Sequence, residues 1–199
     1  MKIFKYLASS ALLSVSVSAA YAQDYDKGLV AYNTGDYQTA LKEILPLADG
    51  GNARAQYLIG LMYGWGDGVL QNYIEAVKWY RLSADQGQAD AQTTLGGMYA
   101  DGKGVIQSYA EANKWYRLSA DQGESIAQLR LAGNYEDGRG VKQNNVTAHM
   151  WYNISSANGY GEAATYRDSI AKKMTREEIA KAQAMAQECM SSGYKNCGD

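Results

Sequence analysis

Groups able to do chemistry are scarce in this chain of 199 residues: it carries one histidine, His149, two cysteines, Cys189 and Cys197, and a net charge of −2. It has no G-x-S-x-G, no glycine-rich loop running into Lys-Ser or Lys-Thr, and no H-E-x-x-H. The common hydrolase and nucleotide-binding signatures are therefore unmatched. A metal site needs several ligands at close spacing, and His149 has no cysteine or carboxylate at ligand spacing. No catalytic residue, no metal and no cofactor is expected. The charge balance excludes nucleic acid as a partner, because a phosphate backbone demands a basic face.

A bilayer-spanning run is missing too. The most apolar stretch, from about Tyr6 to Val17, falls short of the ~20 residues that a spanning helix needs. It follows Lys2 and Lys5 and precedes Ala20-Tyr21-Ala22, small residues at the two positions a signal peptidase reads. Residues 1–22 are expected to be a signal peptide cleaved before Gln23, which makes the protein periplasmic or secreted. No cysteine stands at the cleavage site, which argues against a bacterial lipid anchor. The mature chain has 177 residues, enough for one domain, and a net charge near −4. In an oxidising compartment Cys189 and Cys197, eight residues apart, are expected to form a disulfide that pins the tail. Closing that loop contributes roughly 2–3 kcal/mol in the chain-entropy model.

What the chain does have is repetition. Gln56, Gln92 and Gln128 are 36 residues apart, and so are Trp79, Trp115 and Trp151. The copies starting at Gln56 and Gln92 agree at 22 of 36 positions, too many for chance similarity of two helical segments. A fixed period of this size marks a solenoid, whose units bury their apolar faces only by stacking on neighbours. Within the unit, Gln56, Ile59, Gly60 and Tyr63 draw one helical stripe, helix A. Ala76, Trp79, Tyr80, Ser83 and Ala84 draw a second between Tyr73 and Gln86, helix B. A G-x-G-V turn joins them, and Gly87, Gly123 and Gly159 end each helix B. Trp115, in the central unit, is expected to pack on both neighbours, and Tyr63, Tyr99 and Tyr135 to be core.

The unit, read as A-Q-x-x-(L/I)-(G/A)-x-(M/N)-Y-x-x-G-x-G-V-x-Q with a later A-x-x-W-Y-x-x-S, resembles the Sel-one-like repeat, a relative of the tetratricopeptide repeat with a longer inter-helix loop. The resemblance covers about residues 24 to 163 and implies an all-α, right-handed α-solenoid of antiparallel helix pairs. Residues 23–55, with Gly28, Ala31, Tyr32, Gly35, Asp36, Tyr37 and Ala40, look like an ordinary tetratricopeptide unit. Its Glu43 replaces the tryptophan of the others, as suits a terminal unit. Residues 56–163 are the three repeats, and residues 164–199 are expected to cap them. There Thr175 and Glu178 read as a capping box before a stripe of Ile179, Ala182, Ala186 and Cys189.

Function is sought where the copies differ, since shared positions maintain stacking. The face of helix A opposite the stripe carries Leu58, Leu61 and Met62, then Thr94, Gly97 and Met98, then Arg130, Gly133 and Asn134. It either packs on the preceding helix pair or forms one wall of a groove for a peptide or protein segment. Trp65, whose counterparts are Asp101 and Asp137, is either an interface anchor or packed over a neighbouring loop. Tyr57, Tyr73 and Tyr109 are further contact candidates. His149, in the slot of Val77 and Asn113, is expected on the helix surface.

The resemblance implies an adaptor that binds protein partners. Two alternatives stand beside it. Some exported relatives look like immunity proteins that neutralise a lipase toxin. A cysteine-rich branch is described as binding or hydrolysing β-lactams, but it carries a cysteine pair in nearly every repeat and these copies carry none, so nothing of that activity transfers.

Overall fold

A computed structural model describes residues 25–195 and Cys197. The expected signal peptide therefore lies outside the described residues. Among the described residues all regular structure is helical: α1 (25–33), α2 (Tyr37–Asp49), α3 (Ala53–Trp65), α4 (Tyr73–Asp85), α5 (Ala89–Asp101), α6 (Tyr109–Ala120), α7 (Ser125–Asp137), α8 (Asn145–Ala157), α9 (Ala163–Ala171) and α10 (Arg176–Ser191). Helices α3, α5 and α7 are the A helices of the three repeats, and α4, α6 and α8 their B partners. Each A helix packs on its own B helix and on the preceding B helix, which is the stacking of an α-solenoid.

Each A helix starts three residues before the shared stripe, at Ala53, Ala89 and Ser125. The difference has a local cause. The chain turns helical at Asn52, Gln88 and Glu124, and its first turn carries residues that the stripe does not need. The B helices are capped by Asn72, Ser108 and Asn144, each accepting backbone N–H bonds from the first turn. Every A helix ends on a left-handed glycine, Gly66, Gly102 or Gly138. The second glycine of the loop answers to a different constraint. A Cβ at Gly104 would stand 2.3 Å from the Tyr73 carbonyl oxygen, because this loop lies on the first turn of the preceding B helix.

The repeated glutamine is a polar rivet. Gln56, Gln92 and Gln128 donate through Nε2 to the carbonyls of Ala48, Ala84 and Ala120 at 3.1, 3.1 and 3.0 Å. Through Oε1 they accept from Gln86, Gln122 and Asn158. One buried side chain thus ties the end of the previous unit to both helices of its own. Ser83, Ser119 and Ser155 add a second tie, each donating to the first carbonyl of its A helix. Replacing Gln92 with alanine leaves the Ala84 carbonyl and the Gln122 amide without this partner. The expected cost is roughly 1–3 kcal/mol, read as a lower urea midpoint at unchanged slope.

The ends are closed differently. At the first, Glu43 is half-buried and pairs with Lys27 of α1. At the last, Thr175 and Glu178 form the expected capping box, and Ala182, Ala186 and Cys189 are buried. Cys189 and Cys197 are bonded as a disulfide. Helix α10 packs on α8 rather than pairing with α9 as a B helix would.

Two expectations are corrected here. His149 is not on the surface: it is 2 % exposed, and its Nδ1 has no hydrogen-bond partner. Its counterparts Val77 and Asn113 are buried as well, so this slot of the B helix is interior in all three copies, and the charged groups beside His149 are Arg167 and Asp168 of α9. Tyr63, Tyr99 and Tyr135 are only half-buried; the fully packed rings are Tyr80, Tyr116 and Tyr152, of which the first two press against A-helix backbone at Gly60 and Gly96. A Cβ at Gly60 would meet the Tyr80 ring at 2.5 Å, so this glycine sets the spacing of the pair.

Burial, then the Arg167 guanidinium, holds the His149 imidazole below its ordinary pKa, with Asp168 opposing. A base depressed in the folded state takes up its proton more readily when unfolded. Stability is therefore full above the unfolded histidine value and falls as pH drops through about 6.5 toward the depressed folded value. We expect Tm to decline over that window, and the decline to shrink in His149→Val, the residue of the first copy. An identical pH profile in the variant would assign the decline to other groups.

Candidate functional site

The A-helix face is continuous enough to be one surface. Tyr57 of α3 lies against Tyr80, with ring centroids 5.8 Å apart, and its hydroxyl reaches Thr94 of α5. Burial raises the Tyr57 pKa, Thr94 opposes this, and Asp90 and Glu124 raise it further. Arg130 of α7 in turn stands beside Tyr116, whose hydroxyl is pushed up to about 12 by burial, against the pull of that guanidinium. The surface thus runs from the half-buried Tyr57 through Thr94 to the exposed Arg130, over the buried rings of Tyr80 and Tyr116.

The structure divides the candidate residues. Leu58 and Met62 are buried in the cluster with Ile44, Leu47 and Ile59. They are core, not groove, because the first A helix sits directly on α2. Met98 and Asn134, in the slot of Met62, are buried as well, so that slot belongs to the interior in all three copies. Leu61 is half-buried between two clusters, while a Cβ at its counterparts Gly97 and Gly133 would meet only a tyrosine hydroxyl, at 3.8 and 3.6 Å. Thr94 is half-buried and Arg130 exposed. Trp65 is 72 % exposed at the C-terminus of α3, so packing over a neighbouring loop is not its role.

Arg130 and Asn134 come together at a cavity of about 210 Å³ between α7 and α9. Sequence reading missed its other walls, Leu129, Asp137, Arg139, Tyr152 and Tyr166, of which Asp137 is bridged to Arg139. Tyr152 and Tyr166 stack with centroids 5.6 Å apart, and the Tyr152 hydroxyl donates to Glu136. Tyr166 lies in the cap, where no periodicity marks it. A larger depression of about 650 Å³ runs from the third inter-helix loop to Glu178. Its Gln143 and Asn144 side chains are already engaged by the Glu136 carbonyl and the α8 cap. Among the described residues there is no cluster of three or more His, Cys, Asp or Glu, and no helix is long and apolar enough to cross a membrane.

Helix pairs stacked at a fixed period, with variable residues on one face, define an α-solenoid repeat protein. Sel1 repeats match at residues 53–88, 89–124 and 125–160, more than half of the chain, and the chain belongs to the Sel1 repeat family. Its structure is similar to that of a Sel1 repeat protein from Oxalobacter formigenes, at 28% identity and TM-score 0.69, over 85% of this chain and 77% of that one. It is also similar to a protective antigen present in uropathogenic Escherichia coli strains and displaying an SLR fold, at 29% identity and TM-score 0.76, over 94% of this chain. This chain spans only 41% of that antigen. No curated protein sequence matches it.

Proposed function

We propose that the chain is an exported, non-catalytic scaffold that binds a protein partner along the face of α3, α5 and α7. Trp65 carries this reading. The repeat places aspartate at the equivalent positions, Asp101 and Asp137, so the fold does not require an aromatic there, yet one stands 72 % exposed. Large aromatics presented to solvent are favoured anchors, since their contact area is gained at little conformational cost. Leu61 and Tyr57 extend the surface on the same helix. Export is supported by the basic, apolar and small-residue pattern of residues 1–22 and by the Cys189–Cys197 disulfide, which suits an oxidising compartment.

Trp65→Ala is expected to change stability by no more than about 0.5 kcal/mol. It should weaken partner binding by on the order of 2 kcal/mol, roughly 30-fold in Kd. The test is capture by the mature protein from its native compartment, identification by mass spectrometry, then titration of that partner against both forms. Equal affinity for the two would remove this face from the reading. N-terminal sequencing that finds Met1 rather than Gln23 in the soluble protein would remove export.

A further inference from the structure

The junction between the second and third repeats holds a polar pair where the junction before it is apolar. Asn113 of α6 and Asn134 of α7 are both buried and in contact, in the slots that Val77 and Met98 occupy one period earlier. Apolar packing satisfies the fold at this place, as Val77 and Met98 show, so the amides answer to something else.

Their polarity is set by the backbone. The Arg139 carbonyl can only accept, so Asn113 presents Nδ2 to it, at 2.8 Å. Asn113 Oδ1 then accepts from Asn134 Nδ2 at 2.6 Å. The relay leaves Asn134 Oδ1 with no donor among the described residues, on a side chain 94% hidden (6 % exposed) that borders the cavity between α7 and α9. The side chain is nearly enclosed, but this oxygen is open to the cavity and free to accept a bond from whatever enters it.

The same cavity holds an uncommitted cation. Arg139 is bridged to Asp137 at 3.0 Å, Asp101 to Lys103 at 3.0 Å, and Glu136 is held by Tyr152 and by Lys173 at 3.5 Å. Arg130, one turn before Asn134 on α7, has no carboxylate partner among the described residues. Gly133, between them, keeps the wall low: a Cβ there would meet only the Tyr152 hydroxyl, at 3.6 Å. A volume of about 210 Å³ is that of some seven waters at ~30 Å³ each, too small for a drug-sized ligand and enough for one residue.

We propose that this cavity is a recognition site for an acidic peptide segment, with Arg130 binding a carboxylate and Asn134 Oδ1 accepting a neighbouring backbone N–H. The stacked Tyr152 and Tyr166 form the wall against which the segment lies. The site deepens the protein-binding reading and rests on it. The carboxylate can come from an aspartate or glutamate side chain or from a chain terminus.

The test is an NMR titration of the mature protein with three alanine-based tripeptides at millimolar concentration. One is blocked at both ends with a central aspartate, one has a free terminal carboxylate and no acidic side chain, and one is blocked with a central asparagine. The aspartate or the free-terminus peptide should shift the Gly133 amide and the Asn134 side-chain resonances, and whichever acts identifies the source. The asparagine peptide should not. Arg130→Thr, the residue of the second copy, should reduce affinity about tenfold or more, since charge-assisted bonds are lost from a surface position that leaves the fold intact. Asn113→Val with Asn134→Met restores the apolar junction and should remain folded while the Gly133 shift disappears. Equal response to the neutral peptide, no response to any, or wild-type affinity in Arg130→Thr would each overturn the site. If a protein captured through Trp65 binds Arg130→Thr as tightly as wild type, this site falls and the scaffold reading stands.

Discussion

Trp151→Ala should lower the stability of the folded chain by about 3–5 kcal/mol, the usual loss for a fully buried large aromatic. Trp115→Ala should cost less. Sequence alone favours the central tryptophan, because it has a repeat on each side, but Trp79 and Trp115 are only half-buried whereas Trp151 is completely enclosed. The cause is α10. On α4 and α6 the outer face is Glu75, Lys78 and Leu82, then Glu111, Lys114 and Leu118, with a 2.6 Å ion pair in each and both leucines 49% exposed. On α8 the same slots hold Thr147, Met150 and Ile154, all buried together with Trp151. Removing the indole would open a cavity under the cap and strip Arg117 of the ring it covers, 5.4 Å from its centroid. Chemical denaturation of the two variants decides the matter. A larger loss in Trp115→Ala would mean that α10 contributes little to the packing of α8.

Leu58→Ser and Leu61→Ser should separate, although the two leucines look alike as members of one variable face. Leu58 is buried between α2 and α4, so the substitution leaves a cavity and buries a hydroxyl, at a cost of about 2–5 kcal/mol. Leu61 is half-buried, and the repeat tolerates glycine in its slot at Gly97 and Gly133, so Leu61→Ser should cost roughly 1 kcal/mol or less. Any loss of partner binding in the folded Leu61→Ser protein then reports on the surface itself. Equal denaturant midpoints for the two would place Leu61 in the core and confine the binding face to Trp65, Tyr57 and Arg130.

The period of 36 residues, the helix pair within it and the glycine turns are written in the chain, because every unit solves the same local problem and three copies expose which residues are shared. The capping box at Thr175 and the pairing of Cys189 with Cys197 were legible for the same reason, each being a short-range pattern with one physical meaning. Repetition marked Gln56 and Ser83 as required without saying that they tie carbonyls of neighbouring helices. What the chain could not reveal is where α10 lies. Placed on α8, it buries Met150 and Trp151 and makes their slots unlike those of the other copies, where lysines are exposed and tryptophans half-buried. The division of the variable face was equally hidden. Helix periodicity assigns Leu58, Leu61 and Met62 to one side, but only the position of α2 decides that Leu58 and Met62 face a neighbour while Trp65 faces water. The cavity that joins Arg130 and Asn134 to Tyr152 and Tyr166 exists because α9 packs on α8 and brings Tyr166 to a space shared with α7, a juxtaposition that no local pattern encodes.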